Sequence, residues 1–467
     1  MRARSVSRCV CWAGLALIGG LAPVSAAAQG PGGGPLTLNN AIQLALKNYP
    51  AIKESRARAQ AADESIGVAR TAYLPRLDLV WQENRATTNN VFGLLLPQSV
   101  IPTISGPVLG TRSLGDSVWG SAAGVLLSWD AVDFGQRKAA VDVARAQTSL
   151  AKNQAALTDL DVAAAAADAY LTVLAADEGV RATRANVERL QVFFGNVRTL
   201  VDNQLRPGAD QSRAEAELAV ARNQVSQAVQ IADIARASLA EAIGSAGASL
   251  ELAAGSLAAA PQLTIAPLDV KSHPAARVSQ AAVDVVRARE RTLDRAYYPK
   301  ITLQSAFAGR GSGADVPGVA SLGNGLWLQV PNWAIGASVT FPAFELFSIN
   351  ARKRVEAQNE LAETARYDRT TQAITTQDAK ARALITAATE IARNTPIERQ
   401  AATAGESQAR ARYQNGLANV TEVAEAQRLL AQAEVDDAVA RLGVWRALLA
   451  SAQAHGDLAP FLDKIRP

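Results

Sequence analysis

The chain has 467 residues, of which 49% are apolar, 19% charged and only 5% aromatic, with two His, two Cys and one Met. So little imidazole and thiol argues against chemistry that leans on either, and the strong patterning argues against disorder. Basic residues exceed acidic ones by 47 to 43, a formal net charge of +4, without the clustered basic face that a nucleic-acid footprint needs.

In chain order, the N-terminus comes first. Arg2, Arg4 and Arg8 precede an apolar stretch from Val10 to Leu21 and small residues ending at Ala26, Ala27 and Ala28. That is the order of a cleaved secretory leader, so residues 1–28 are expected to be removed, and Cys9 and Cys11 with them. Losing three Arg and no acid brings the net charge to +1, and a mature chain without thiols excludes disulfides and thiolate catalysis. The apolar stretch is too short to remain as a membrane span, and no later run of about eighteen apolar residues offers one.

Residues 29–244 read as two short helices broken at Tyr49-Pro50, a strand over about 75–84, a loop, and a strand over about 118–129. A very long helix, a turn at Leu205 to Gly208 and a further helix closed by Gly244 complete the set. Leu77, Leu79 and Trp81 alternate with Arg76, Asp78 and Gln82, and Val125, Leu127 and Trp129 share one face, which is the period of a strand between unlike environments. Asn84 to Ser117 has the Gly, Pro, Asn, Ser and Thr content of a loop. No Pro interrupts Val132 to Leu200, and a helix of that length spans roughly 100 Å, which implies a coiled-coil assembly. Leu218, Val225, Ala232 and Leu239 trace heptads, and Ala163 to Ala167 reads as a tight packing face.

A linker over 245–266 leads to a second copy over 267–467. His273-Pro274 and Tyr297-Tyr298-Pro299 repeat Tyr49-Pro50 and Tyr73-Leu74-Pro75 at a spacing of 224 residues. Phe341, Glu345, Glu422 and Gly456 repeat Trp129, Asp133, Asp210 and Gly244 at 212, so the first copy is twelve residues longer within its loop. The second copy carries strands over about 299–308 and 326–341, a loop from Gly309 to Gly325, and a turn at Asn415 to Ala418. Val435, Leu442 and Leu449 continue the heptads. Two short helices ahead of the first strand are expected here as well. Asp133 and Glu345 open the long helices, where acids are favoured electrostatically.

Trp81, Trp119, Trp129, Trp327 and Trp333 lie in or beside the four strands, as in the aromatic girdles of a membrane barrel. A small soluble sheet packed on helices alternates in the same way. Four strands cannot close in lipid, so membrane strands would require two, three or more chains to share one barrel.

The duplication, together with Tyr73-Leu74-Pro75 and the runs from Trp129 to Gly135 and from Tyr413 to Ala426, resembles the TolC-like outer-membrane efflux protein family. The resemblance covers about Leu36 to the C-terminus. It implies a mainly α protein with a membrane β-barrel: a long α-helical coiled-coil tunnel plus four β-strands per chain, closing as a twelve-stranded barrel in a homotrimer. It also implies residence in the outer membrane of a Gram-negative bacterium, with the tunnel extending into the periplasm. The implied function is a passive exit duct of a tripartite efflux or export system, docked on a periplasmic adaptor (membrane fusion) protein and an inner-membrane transporter.

Gln204, Leu205, Arg206, Gly416, Leu417 and Ala418 match the family's adaptor-docking hairpin tips. Asp210, Glu422 and Glu425 match acids lining its closed entrance, and Tyr413 matches an aromatic of the gate network. Glu422 and Glu425 share one helix face, and rings of such carboxylates select cations, although solvated acids near a helix N-terminus fit the same residues. Ala418 departs from the pattern: well-studied members carry a basic residue there, so Tyr413 lacks that partner, and Arg206 of the first copy is the candidate substitute. A secreted or periplasmic coiled-coil scaffold without channel activity is the alternative. No enzyme and no cofactor are expected, since no nucleophile–base pair, metal-ligand spacing around His273 or His455, or phosphate loop at Gly309, Gly311 and Gly313 is present.

Overall fold

The structure, a computed structural model, describes residues 35–87, 117–258, 261, 267–313, 324–341 and 343–465. The expected leader, most of the first loop and part of the linker lie outside the described residues. Helices α1 (Leu38–Asn48) and α2 (Pro50–Thr71) lead into strands β1 (Arg76–Thr87) and β2 (Ser117–Val132), then α3 (Gln136–Asp202) and α4 (Gly208–Ala242). The second half contributes α5 (Pro274–Arg295), β3 (Lys300–Ser312), β4 (Val330–Thr340), α6 (Leu346–Gln414), α7 (Val420–His455) and the short α8 (Ala459–Asp463).

Local chemistry accounts for the breaks. Thr37 caps α1 through Asn40 N at 3.3 Å, and Tyr49 turns extended because Pro50 follows it. His273 adopts the same extended conformation ahead of Pro274, and its Nδ1 accepts from Ala275 N at 3.1 Å. In the second copy the described residues hold one of the two expected short helices, α5, and Pro267 stands in the non-helical residues 267–273 that lead into it. Asp133 does organise the start of α3: its carboxylate accepts from Gly135 N, Arg137 N and Arg137 Nε at 3.2, 2.6 and 2.9 Å. Its counterpart Glu345 makes no such cap on α6.

The four strands form one antiparallel sheet in the order β1-β2-β3-β4. The register sets Leu79 opposite Val125, Trp129 opposite Leu303, and Phe307 opposite Trp333. One face is therefore continuous and apolar, and Leu79, Trp81, Phe307, Trp333 and Ile335 on it are 62–77% exposed. A soluble sheet would pack that face on helices; among the described residues no helix covers it. The strands run further than composition indicated, so Gly309 and Gly311 belong to β3 rather than to a loop. Glycine is scarce in strands, but here it lets Leu328 and the Trp327 backbone lie directly against β3, where a Cβ on Gly309 would come within 3.2 Å of Leu328 Cβ.

Away from the sheet, α3 and α6 extend over 67 and 69 residues, about 100 Å each. Each folds back on its shorter partner, α3 on α4 and α6 on α7, and the two hairpins meet along a seam between α3 and α7. The main core is a belt at the far end of the hairpins from their turns. It joins Leu38, Ile42 and Ile52 to Tyr170, Leu239, Trp445 and Phe461, and Ala163, Ala164, Ala166 and Ala167 are buried in it. Leu36 pairs with Leu252 beside this belt, and the Tyr170 hydroxyl lies 2.7 Å from Leu36 O and 2.6 Å from Ala253 O. Burial pushes that hydroxyl up to about 12. Tyr170→Phe leaves the Ala253 carbonyl without this donor in a buried setting, and is expected to cost about 1–2 kcal/mol, seen as a lower denaturation midpoint in detergent.

Candidate functional site at the hairpin tips

Both hairpins turn in the same way. In the first, Gln204 N donates to Val201 O and Leu205 N to Leu200 O at 2.9 and 2.8 Å; in the second, Gly416 N donates to Tyr413 O and Leu417 N to Arg412 O at 3.0 and 2.8 Å. This pair of bonds requires a left-handed residue between them. Gly416 supplies it at φ 78°, and Gln204 adopts φ 58° despite its side chain. Asn203 and Asn415 donate back to Thr199 O and Ala411 O, and Asn419 caps α7 through Glu422 N at 2.9 Å. The motif throws one apolar side chain outward from each turn: Leu205 is 68% exposed and Leu417 70%.

The residues just inside the turns behave differently. Tyr413 is 2% exposed and sits in a cluster with Phe193, Val197, Ala214, Ala418, Val420 and Val423, drawn from both hairpins. Phe193 meets its ring edge-on, with centroids 5.5 Å apart. Arg206 stacks its guanidinium 4.5 Å above the ring and donates to Tyr413 O at 2.7 Å. The Tyr413 hydroxyl donates to Asp210 Oδ2 at 3.3 Å. Burial first, and then the Asp210 carboxylate, push this hydroxyl above its ordinary value, while Arg206 works the other way. The group therefore stays a donor at neutral pH.

Thus Tyr413 does not lack a basic partner. Arg206 reaches it from the other copy, and Ala418 is simply buried beneath it. Of the six tip residues, Gln204, Leu205, Gly416 and Leu417 face out, whereas Arg206 and Ala418 turn inward. The three acids also separate. Asp210 is engaged by Tyr413, while Glu422 and Glu425 are exposed on α7 with Arg412 at 3.8 Å and Arg428 at 3.6 Å. Exposed pairs at those distances are worth little. Sequence reasoning missed Phe193, Arg412 and Arg428. A signal for the first existed, since Phe193 and Phe194 are the only aromatics of α3 after Tyr170.

Residues 41–245, almost the whole first copy, match the family model of the outer membrane efflux protein. The first half of the chain is thus similar to this family. A search of curated proteins finds no match. Solved structures show the same fold over most of this chain's length. The outer membrane channel CmeC of Campylobacter jejuni is 15% identical with a TM-score of 0.72, over 90% of this chain and 85% of that one. The outer membrane protein VceC of Vibrio cholerae is 18% identical with a TM-score of 0.70, over 90% and 96%. The open-state MtrE outer membrane channel of Neisseria gonorrhoeae is 19% identical with a TM-score of 0.70, over 90% and 89%.

Proposed function

We propose that three copies of this chain form a passive exit duct that crosses the outer membrane and reaches through the periplasm. The observation that carries this reading is the uncovered apolar face of a four-stranded sheet, directly continuous with two helices of 67 and 69 residues. In lipid such a face is satisfied, but the edges of β1 and β4 are not. Closure then requires neighbouring chains, and three copies give a barrel above the observed minimum of about eight strands. The duct performs no catalysis, and energy for export comes from an inner-membrane transporter. The exposed Leu205 and Leu417 supply apolar knobs for a periplasmic adaptor, flanked by Gln204 and Gly416.

Detergent-extracted protein in a planar bilayer tests the duct. Ion-conducting steps from a trimer support it; a protein that is soluble without detergent and never conducts supports a periplasmic scaffold instead. In the same reading Glu422 and Glu425 of three chains line the narrow entrance. Glu422→Ala combined with Glu425→Ala is expected to lower cation-over-anion selectivity several-fold and to abolish block by divalent cations. Unchanged selectivity and block would remove both residues from the constriction.

A further inference from the structure

The seam between the two hairpins is fastened at three heights. The tip holds Tyr413 to Arg206 and Asp210. Near the belt, Arg446 Nε lies 3.2 Å from Asp168 Oδ1, and the same guanidinium bonds Thr172. Between them, Arg189 of α3 grips Glu434 of α7 fork to fork, Nη1 to Oε1 at 3.1 Å and Nη2 to Oε2 at 2.8 Å. Both side chains are only about a quarter exposed, at 24% and 26%, and a bidentate pair of this kind holds geometry as well as charge.

Heights along the helices give the pair its meaning. Arg189 lies thirteen residues before the end of α3 and Glu434 fourteen after the start of α7, so both stand about 20 Å from the tip at 1.5 Å per residue. Thr172 and Arg446 stand about 45 and 39 Å away on the same scale. Below the Arg189–Glu434 pair, among the described residues, lie the tip cluster around Tyr413 and Phe193 and the buried amide of Gln427, while the buried amide of Asn186 lies just above it. A hairpin freed at its tip alone pivots at the Arg189–Glu434 pair, on a lever of about 20 Å; with that pair parted, the pivot retreats to Arg446 and the lever roughly doubles.

We propose that Arg189 and Glu434 form a second clasp that divides opening of the duct into two stages, a partial one when the tip releases and a wide one when this pair parts. The inference rests on the duct reading, and one experiment separates the two. Single-channel conductance is compared for the wild-type protein, a tip-released variant (Arg206→Ala with Asp210→Ala), and the same variant carrying Arg189→Glu. The tip-released protein conducts at an intermediate level, and adding Arg189→Glu raises it at least about twofold, as the doubled lever requires. Adding Glu434→Arg to that protein reverses the pair and returns conductance to the intermediate level.

As a check independent of charge reversal, cysteines at positions 189 and 434 of the tip-released protein are joined by a short bis-maleimide, because the span of an Arg–Glu pair exceeds what a disulfide bridges. The bridged protein stays at the intermediate level under conditions where the unbridged one widens. Equal conductance with and without Arg189→Glu, or free widening of the bridged protein, overturns the clasp while leaving the duct intact. Silence of every variant overturns the duct and the clasp together.

Discussion

Arg206→Ala is expected to raise the resting conductance of the reconstituted protein about tenfold, more than any other single change at the tip. The guanidinium makes two contacts with one residue, the stack at 4.5 Å and the bond to Tyr413 O at 2.7 Å. A partly buried cation–π contact is worth about 1–2 kcal/mol, and a charged donor to a carbonyl about 1.5–3. The two share a side chain and do not add fully, so on the order of 2 kcal/mol is lost from the closed state. At 1.4 kcal/mol per tenfold, that shifts the closed-to-open ratio by about one order of magnitude or somewhat more. Arg206→Lys keeps the charge but not the planar stack, and should fall between the two. If Arg206→Ala conducts like the wild-type protein, the contact is packing and not a latch.

The Arg206–Tyr413 contact also shows where sequence reasoning stopped. The resemblance directs attention to the second position after Gly416, where Ala418 offers no charge, so Tyr413 looked unpartnered. Its partners lie 207 and 203 residues away in the chain, and only the side-by-side placement of the two hairpins brings them within reach. The duplication itself was legible, because the Pro breaks, the strand-leading Tyr-Pro pairs and the terminal glycines recur at fixed offsets. Strand length was not, since Gly309 and Gly311 carry a loop's composition into β3. The same duplication predicts a short helix ahead of His273, and the described residues 267–273, which begin at Pro267, are not helical. The clustering of Asp210 with Glu422 and Glu425 was drawn from their matching positions, whereas Asp210 is held by the ring hydroxyl that sits between the hairpins.

Among the glycines that end the helices, the largest loss of stability from a single methyl group is expected at Gly456. This residue ends α7 at φ 73°, with Gly456 N bonded to Gln453 O and Asp457 N to Ala452 O. A side chain in the left-handed region costs about 1–2 kcal/mol. Here the added Cβ would also stand 2.5 Å from Pro274 Cδ and 2.8 Å from His273 Cδ2. His273 cannot easily move away: its Nδ1 accepts from Ala275 N, and its Nε2 donates to Gln453 O at 3.1 Å, while burial holds it below its ordinary value and so neutral. Overpacking of this kind adds about 1–3 kcal/mol, so Gly456→Ala should cost on the order of 3 kcal/mol. Gly244, at φ 68°, presses on Asn48 in the same way, with 2.9 Å to its carbonyl carbon, and Gly244→Ala should behave alike. Gly416 has φ 78° but nothing within 4 Å of an added Cβ, so Gly416→Ala pays only the backbone strain, about 1 kcal/mol. Denaturant midpoints of the three variants in detergent check this ranking; equal midpoints for Gly456→Ala and Gly416→Ala would refute the docking contribution. The same contact in both copies anchors the returning helix of each hairpin against the Pro break that begins its own copy. Each hairpin is thereby fixed at the belt, so that release of the contacts around Tyr413 frees the tip rather than the base.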